Sequence, residues 1–422
     1  LVGTNNRIGD HQTNVVRFFR GLDLNATQIP YYVQGIGTVR SQDVTKPEPL
    51  GDRVRGMAAG RGLEEIVLDA YRFLCTTFDF EAFRDPKRDS DKIYFMGFSR
   101  GAYAARMLAG FINEFGLLSP NNLHMAVLAF RAYLKLTEFR DDTAVRERYL
   151  MLRRLEGTFH PEHPAIEGLI LFDTVASMIR WRNPIRSYRK YWSPISLANH
   201  PSTVTNPSVR FVIHAVAVDE RRTFFRPLMW REGERFWGNR FRQGDGEPQI
   251  VRQVWFPGCH GDVAGSARED EAGLGKITAC WVFAQLAELA PNLKFRANFF
   301  DRYLKATSRP QRKTEDGRRI SEPHYNARIH HSLRGMWKPM EIIPKSQRRR
   351  DPSRPFFKLW PYYFPLGEPR PIPPDANVHP SVFDRRDHGQ PTYAPRNLAG
   401  RTEKDFRQDA AALHNPSYPG EP

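Results

Sequence analysis

The 422-residue sequence predicts an α/β fold, a mostly parallel sheet with helices on both faces, and three observations carry that reading. Short apolar runs alternate with helical patterns from residue 1 to about 295. The runs are almost continuously apolar rather than alternating, as strands covered on both faces must be. One of them enters a Gly-x-Ser-x-Gly turn that opens at once into a helical pattern.

The strand-like runs are Tyr31-Tyr32-Val33, Ile93-Tyr94-Phe95-Met96, Gly168 to Phe172, Phe211 to Val218 and Gln253-Val254-Trp255-Phe256. Between them Leu63 to Thr76 reads as a helix. So does Ala102 to Phe115, where Ala104, Leu108, Phe111, Ile112 and Phe115 share one face. A longer helical stretch runs from Asn121 to about Leu155, and Leu274 to Leu289 closes the region.

Two segments break the rhythm. Residues 178–208 hold Arg180-Trp181-Arg182 and Tyr188-Arg189-Lys190-Tyr191-Trp192, interrupted by Pro184, Pro194 and Pro201. After residue 300 the chain becomes rich in proline and arginine, with Arg348-Arg349-Arg350 and Pro369-Arg370-Pro371-Ile372-Pro373-Pro374. The expected organisation is therefore a core over 1–300 that carries an insertion at 178–208, followed by an extension over 301–422 that wraps the core surface, partial disorder of this tail being the alternative its composition leaves open.

Composition narrows the function classes. An apolar share of 40% and an aromatic share of 12% fill a substantial core and exclude global disorder. Three cysteines without a Cys-x-x-Cys pair exclude a disulfide scaffold and a structural zinc site, and favour a reducing compartment. No apolar run reaches about 18 residues, so no membrane span is expected. There is no basic-then-apolar leader either, which makes the cytoplasm of the producing cell the expected location. The net charge is +16, and residues 301–422 hold 23 basic and 14 acidic side chains. That balance favours anionic partners such as lipid headgroups or nucleic acid; a solvated basic surface is the plain alternative.

The chemistry centres on Gly97-Phe98-Ser99-Arg100-Gly101. A strand running into this pattern, with a helix after it, lifts the serine hydroxyl above the sheet edge on a sharp turn. Glycines flank the turn because side chains there would clash. The helix N-terminus beneath favours developing negative charge. Ser99 is thus the candidate nucleophile, and the backbone N–H of Arg100 a candidate oxyanion donor. The strand-like Leu1-Val2 leads into the Gly3-Thr4 turn, where Thr4 is the candidate second donor.

A serine nucleophile needs a base and an orienting acid, in the chain order serine, acid, histidine. His260 follows the Gln253 to Phe256 run in a glycine-flanked loop and is the candidate base. His214 falls within a strand, and His160, His163 and His200 fall in insertions. Two acids compete for the third role. Asp173 ends one strand and Asp219 the next, both at carboxyl ends where sites in parallel sheets are built. Asp219 precedes Glu220-Arg221-Arg222, so an ion pair with arginine is its plain alternative; on chemistry alone both acids stay open. Gly35-Ile36-Gly37 lacks the third glycine of a dinucleotide loop, and Cys259 points away from His260 along an extended chain. Asp262 beside His260 has no third ligand at metal spacing, so no metal and no organic cofactor is expected.

At these residues the sequence resembles the catalytic domain of the type VI secretion phospholipase effectors and related hydrolase domains. The resemblance runs through Thr13-Asn14-Val15, Gly97 to Arg106, Phe172-Asp173-Thr174-Val175 and His214 to Arg221. It continues in Val254 to Val263, Ile372 to His379 and Tyr393 to Leu398. Val2 stands where the family has an aspartate, and Val263-Ala264-Gly265-Ser266-Ala267 departs from its glycine-rich run.

The resemblance implies an α/β-hydrolase that cleaves lipid acyl esters, a phospholipase, with delivery by a dedicated secretion system. It also implies that the acid lies in the Asp-Thr-Val motif, which selects Asp173 over Asp219. By position, just past Asp173, segment 178–208 lies where lids lie. Trp181, Tyr188, Tyr191 and Trp192 among its cations suit an anionic membrane surface, and a segment folded against the body with these aromatics buried is the plain alternative. No specific nucleic-acid partner is expected. The rival from another class is an inactive hydrolase-fold module whose basic tail binds nucleic acid or protein.

Overall fold

The computed structural model describes residues 12–34, 61–135, 142–175, 178–181, 195–198, 201–238, 241, 244–306, 313, 317–335, 337–342, 345–346, 358–359 and 362–416. At its centre five strands form one sheet in which every neighbouring pair is parallel. They are β1 (Ile93–Phe98), β2 (Ile166–Phe172), β3 (Val209–Ala217), β4 (Ile250–Phe256) and β5 (Asn377–Val378), and their spatial order is their chain order.

Helices cover both faces. α1 (Asn14–Gly21) and α6 (Gly273–Leu289) contribute to one apolar cluster; α2 (Arg61–Thr77), α3 (Arg100–Phe115), α4 (Ala126–Lys135) and α5 (Asp142–Phe159) contribute to the other. Side chains alternate across the sheet, so β2 sends Leu169 and Leu171 to the α3 side and Ile170 and Phe172 to the α6 side. Each such burial contributes about 1.5–3 kcal/mol, which explains why these strands are mostly apolar on both faces.

Register positions the site. Phe98 pairs with Phe172, Phe172 with Ala215, and Ala217 with Phe256, so the carboxyl ends of four strands finish along one edge. The next residues, Ser99, Asp173, the 218–220 turn and the 257–260 turn, emerge together there.

The sequence reading departs from the fold in two places. Tyr31-Tyr32-Val33 forms no strand. Tyr31 instead stacks on Phe73 of α2 at 4.3 Å and its hydroxyl donates to Asp69 at 3.0 Å, so the run packs against a helix rather than a sheet edge. The expected long helix from Asn121 opens instead with a 3₁₀ turn (Pro120–Met125); α4 and α5 supply its helical residues, and 136–141 lie outside the described residues.

Within 178–208, Met178–Trp181 and Ile195–Ala198 pair as an antiparallel ribbon. The side chains of Trp181, Tyr188, Tyr191 and Trp192, the expected membrane contacts, lie outside the described residues. Among the described residues no helix is long and apolar enough to cross a membrane. Beyond residue 300, β5 joins the sheet beside β4, and the helix Pro380–His388 follows. Ile372, Val378, Val382, Phe383, Leu398 and Phe406 bury Val216, Val218 and Trp255 in a third cluster.

Candidate active site

Ser99 caps α3 with φ 56° and ψ −120°, a backbone conformation that side chains rarely adopt. Its N–H donates to the Phe172 carbonyl at 3.0 Å, which ties the turn to the end of β2. Gly97 is required because a Cβ there would sit 2.7 Å from the backbone of Ala102, which cannot move aside.

His260 opens a single helical turn, His260–Val263, whose N-cap is Cys259. Asp262 accepts the Cys259 N–H at 2.9 Å, and Glu220 accepts the His260 N–H at 3.3 Å. The imidazole is held between Phe98 and Phe225, with ring centroids 4.7 and 4.9 Å away. Its Nε2 lies 2.8 Å from Ser99 Oγ and its Nδ1 lies 2.5 Å from Asp173 Oδ2. The carboxylate can only accept, so Nδ1 carries the proton and Nε2 is free to accept from the serine hydroxyl. Burial holds the His260 pKa below its ordinary value, against the hydrogen bond and charge of Asp173, which pull it up.

Asp173 follows the last residue of β2 directly and turns back with φ 42°. It is fully buried, and its Oδ1 accepts the Ala217 N–H at 3.0 Å. Arg370 adds a fork, Nη1 at 2.6 Å from Oδ1 and Nη2 at 2.9 Å from Oδ2. Burial alone would raise this carboxyl's pKa. The Arg370 charge and the His260 bond outweigh it and hold the group well below the usual carboxylate range.

Asp219 does other work. Its Oδ2 accepts the Gly258 N–H at 2.7 Å and the Tyr393 hydroxyl at 2.9 Å, so it fixes the turn two residues before His260. Burial pushes its pKa up to about 6. The arginine partner expected for it belongs to its neighbour: Glu220 pairs with Arg222 at 2.8 Å. Arg222 in turn lies 3.6 Å over the Phe225 ring.

Of the other sequence-derived residues, Arg100 is the first residue of α3, while Thr4 lies outside the described residues. Burial pushes the Cys259 thiol well up, which argues against a thiolate. Among the described residues no three His, Cys, Asp or Glu side chains gather in a metal-holding group. Sequence reasoning missed Arg370, Glu220 and His330, whose Nδ1 meets Asp262. Arg370 sits in a proline string with nothing local to mark it, and its partner is 197 positions away.

A parallel α/β sheet with Ser99, His260 and Asp173 hydrogen-bonded in sequence at its carboxyl edge defines an α/β-hydrolase-like domain. Residues 2–285, more than half of the chain, match the type VI secretion (T6SS) phospholipase effector Tle1-like catalytic domain, and the chain belongs to that family. An uncharacterized protein of Saccharomyces cerevisiae is 28% identical over 239 residues, which cover 54% of this chain and 31% of that protein. The Tle1 effector solved bound to the VgrG spike of the type 6 secretion system is similar at 18% identity with a TM-score of 0.29, covering 60% of this chain and 40% of that one. An uncharacterized protein from Pseudomonas aeruginosa is similar at 19% identity with a TM-score of 0.26, covering 58% and 29% respectively. The chain thus spans less than half the length of each of these proteins.

Proposed function

We propose that this chain is the catalytic part of a serine-dependent lipase that hydrolyses acyl esters of phospholipids. The observation that carries the reading is the His260 ring, within hydrogen-bond reach of Ser99 Oγ on one side and Asp173 Oδ2 on the other. Membership of a family named for phospholipase effectors supports the lipid substrate and delivery by a type VI system.

In the proposed reaction Ser99 Oγ attacks the ester carbonyl while His260 Nε2 takes its proton. The Arg100 backbone N–H at the start of α3 receives the oxyanion, and the Gly3-Thr4 turn is assigned the second donor from sequence alone. Collapse breaks the acyl–oxygen bond, and the imidazolium returns its proton to the leaving alcohol. Water then attacks the acyl-serine with His260 again as base, which releases the fatty acid and restores Ser99. Residues 1–300 form the catalytic core in this reading, and 301–422 an extension that completes it.

A fluorophosphonate probe tests the serine, and phospholipid vesicles test the substrate. Mass spectrometry should place the label on Ser99, Ser99→Ala should remain unlabelled, and wild type should release free fatty acid. A wild-type chain that resists the probe, or a Ser99→Ala chain that labels equally, would defeat the proposal.

A further inference from the structure

We propose that Arg370 is a positioning residue of this site, clamping Asp173 in the plane His260 needs and sharing its negative charge so that the imidazole stays neutral in mild acid. The inference rests on the proposed triad and extends it to a residue beyond the 2–285 match.

The geometry is that of a built clamp. A carboxylate offers about four acceptor positions, and all four on Asp173 are taken. Oδ1 takes the Ala217 N–H and Arg370 Nη1; Oδ2 takes His260 Nδ1 and Arg370 Nη2. Rotation of the carboxyl group is thereby blocked. The guanidinium is itself oriented, since Nη1 also donates to the Ala217 carbonyl at 3.0 Å and Nη2 to the Phe225 carbonyl. Both partners are buried, at 4% and 0% exposure, so neither charge is screened by water.

The backbone around Arg370 is equally fixed. Pro369 and Pro371 flank it, and the following proline confines Arg370 to extended conformations. Asn397 Nδ2 donates to the Arg370 carbonyl at 3.1 Å and to the Val218 carbonyl at 3.0 Å, which pins the segment to the end of β3. A planar fork suits this task and a lysine does not, because only two parallel N–H donors can meet both carboxylate oxygens.

The electrostatic consequence follows from who faces His260. Burial and the Arg222 charge oppose its protonated form, Asp173 and Glu220 favour it, and Ser99 is neutral; Arg370 reaches the ring only through the Asp173 carboxylate it grips. Glu220 and Arg222 are paired with each other, and Arg370 sits on both oxygens of Asp173, so it tempers the one carboxylate that touches the ring. Without Arg370 only the Ala217 N–H would be left to share the charge of the buried carboxylate that faces the imidazole. The pair would then bind a proton at higher pH, whichever of the two atoms carried it.

The experiment uses the full chain as wild type, Arg370→Met, Arg370→Lys, Asp173→Asn and Ser99→Ala. Fluorophosphonate labelling rates are followed from pH 5 to 9, with thermal melts to confirm folding. Arg370→Met should raise the midpoint of the acid limb by about one pH unit or more and slow labelling about 10²-fold. Arg370→Lys keeps the charge but loses the fork, so it should slow labelling while the limb stays near the wild-type midpoint. A folded Arg370→Met with the wild-type rate and limb overturns the inference. Where Arg370→Met does not fold, Arg370→Lys decides, and labelling at the wild-type rate overturns it. Failure of the triad reading looks different: Ser99→Ala or Asp173→Asn would then label like wild type whatever Arg370 does.

Discussion

His330 Nδ1 lies 2.6 Å from Oδ1 of Asp262, which stands two residues past His260 in the chain. Asp262 Oδ2 also accepts the N–H groups of Cys259 and His330, so one carboxylate joins the 317–335 segment to the turn that aims the imidazole. Glu271, which also binds Arg328, faces the other ring nitrogen of His330 at 3.2 Å.

This arrangement makes stability depend on pH. The Asp262 hydrogen bond, reinforced by the charges of Asp262 and Glu271, raises the His330 pKa above 6.5 against the opposing effect of burial. A raised folded value means the folded state holds the proton longer than the unfolded chain. The stabilisation is complete below about pH 6.5 and is lost as pH climbs through the folded value. Melting temperatures of wild type and His330→Gln should therefore differ most near pH 5.5 and converge above neutrality. A gap that widens toward alkaline pH would contradict the assignment.

Substitutions in the triad should separate chemistry from scaffolding. Ser99→Ala and His260→Ala should each lower turnover about 10⁴-fold or more with the fold intact, since the members act as a unit. Asp173→Asn should cost nearly as much, because the amide nitrogen accepts no hydrogen bond and one of the two oxygens that receive His260 and Arg370 is lost. Asp219→Ala should instead strand the Gly258 N–H and cost about 1–3 kcal/mol of stability while fluorophosphonate labelling persists. Loss of labelling in a well-folded Asp219→Ala chain would move the acid role to Asp219.

Two glycines should respond oppositely to the same change. In Gly97→Ala the new Cβ meets the Ala102 backbone at 2.7 Å. The elbow must shift, and the variant should lose about 1–3 kcal/mol or more together with its labelling. Gly157, near the end of α5, has nothing within 4 Å of an added Cβ. Gly157→Ala should raise stability by about 0.4–1 kcal/mol through the unfolded chain's lost freedom. Denaturant midpoints measure both.

What the sequence made legible was local. The Gly97 to Gly101 elbow and the buried strands are written in neighbouring residues, because strain and two-sided burial constrain composition directly. The choice between Asp173 and Asp219 was not so written, since each follows a strand of one sheet. Asp173 directly follows Phe172 and folds back toward His260, whereas Asp219 stands two residues beyond Ala217 and turns into the Gly258 N–H. Only the family resemblance favoured Asp173. Arg370 was invisible for the opposite reason: its meaning lies wholly in a partner 197 residues away. Tyr31-Tyr32-Val33 looked like a strand, but aromatic β-propensity is only a preference for half-buried surfaces, and α2 supplies one.

The C-terminal region is where the enzyme and binding-module readings diverge most. Removing residues 301–422 deletes β5, which pairs with Val254 and Trp255 along the edge of the sheet. It uncovers Trp255, Val216 and Val218, now almost wholly buried, by stripping Ile372, Val378, Val382 and Phe383 from them. It orphans Trp281 Nε1, which donates to the Ala412 carbonyl at 2.7 Å, and Gln285 Nε2, which donates to the His414 carbonyl at 2.9 Å. It also leaves the Asp173 charge buried without Arg370. A chain ending at residue 300 should therefore be insoluble, or unfold without a cooperative transition, and should not label with fluorophosphonate. The full chain should bind duplex DNA weakly, with an affinity that falls steeply with salt, as a basic surface does. A soluble, fully labelled truncation, together with tight duplex binding by the full chain, would instead make residues 301–422 an independent nucleic-acid module.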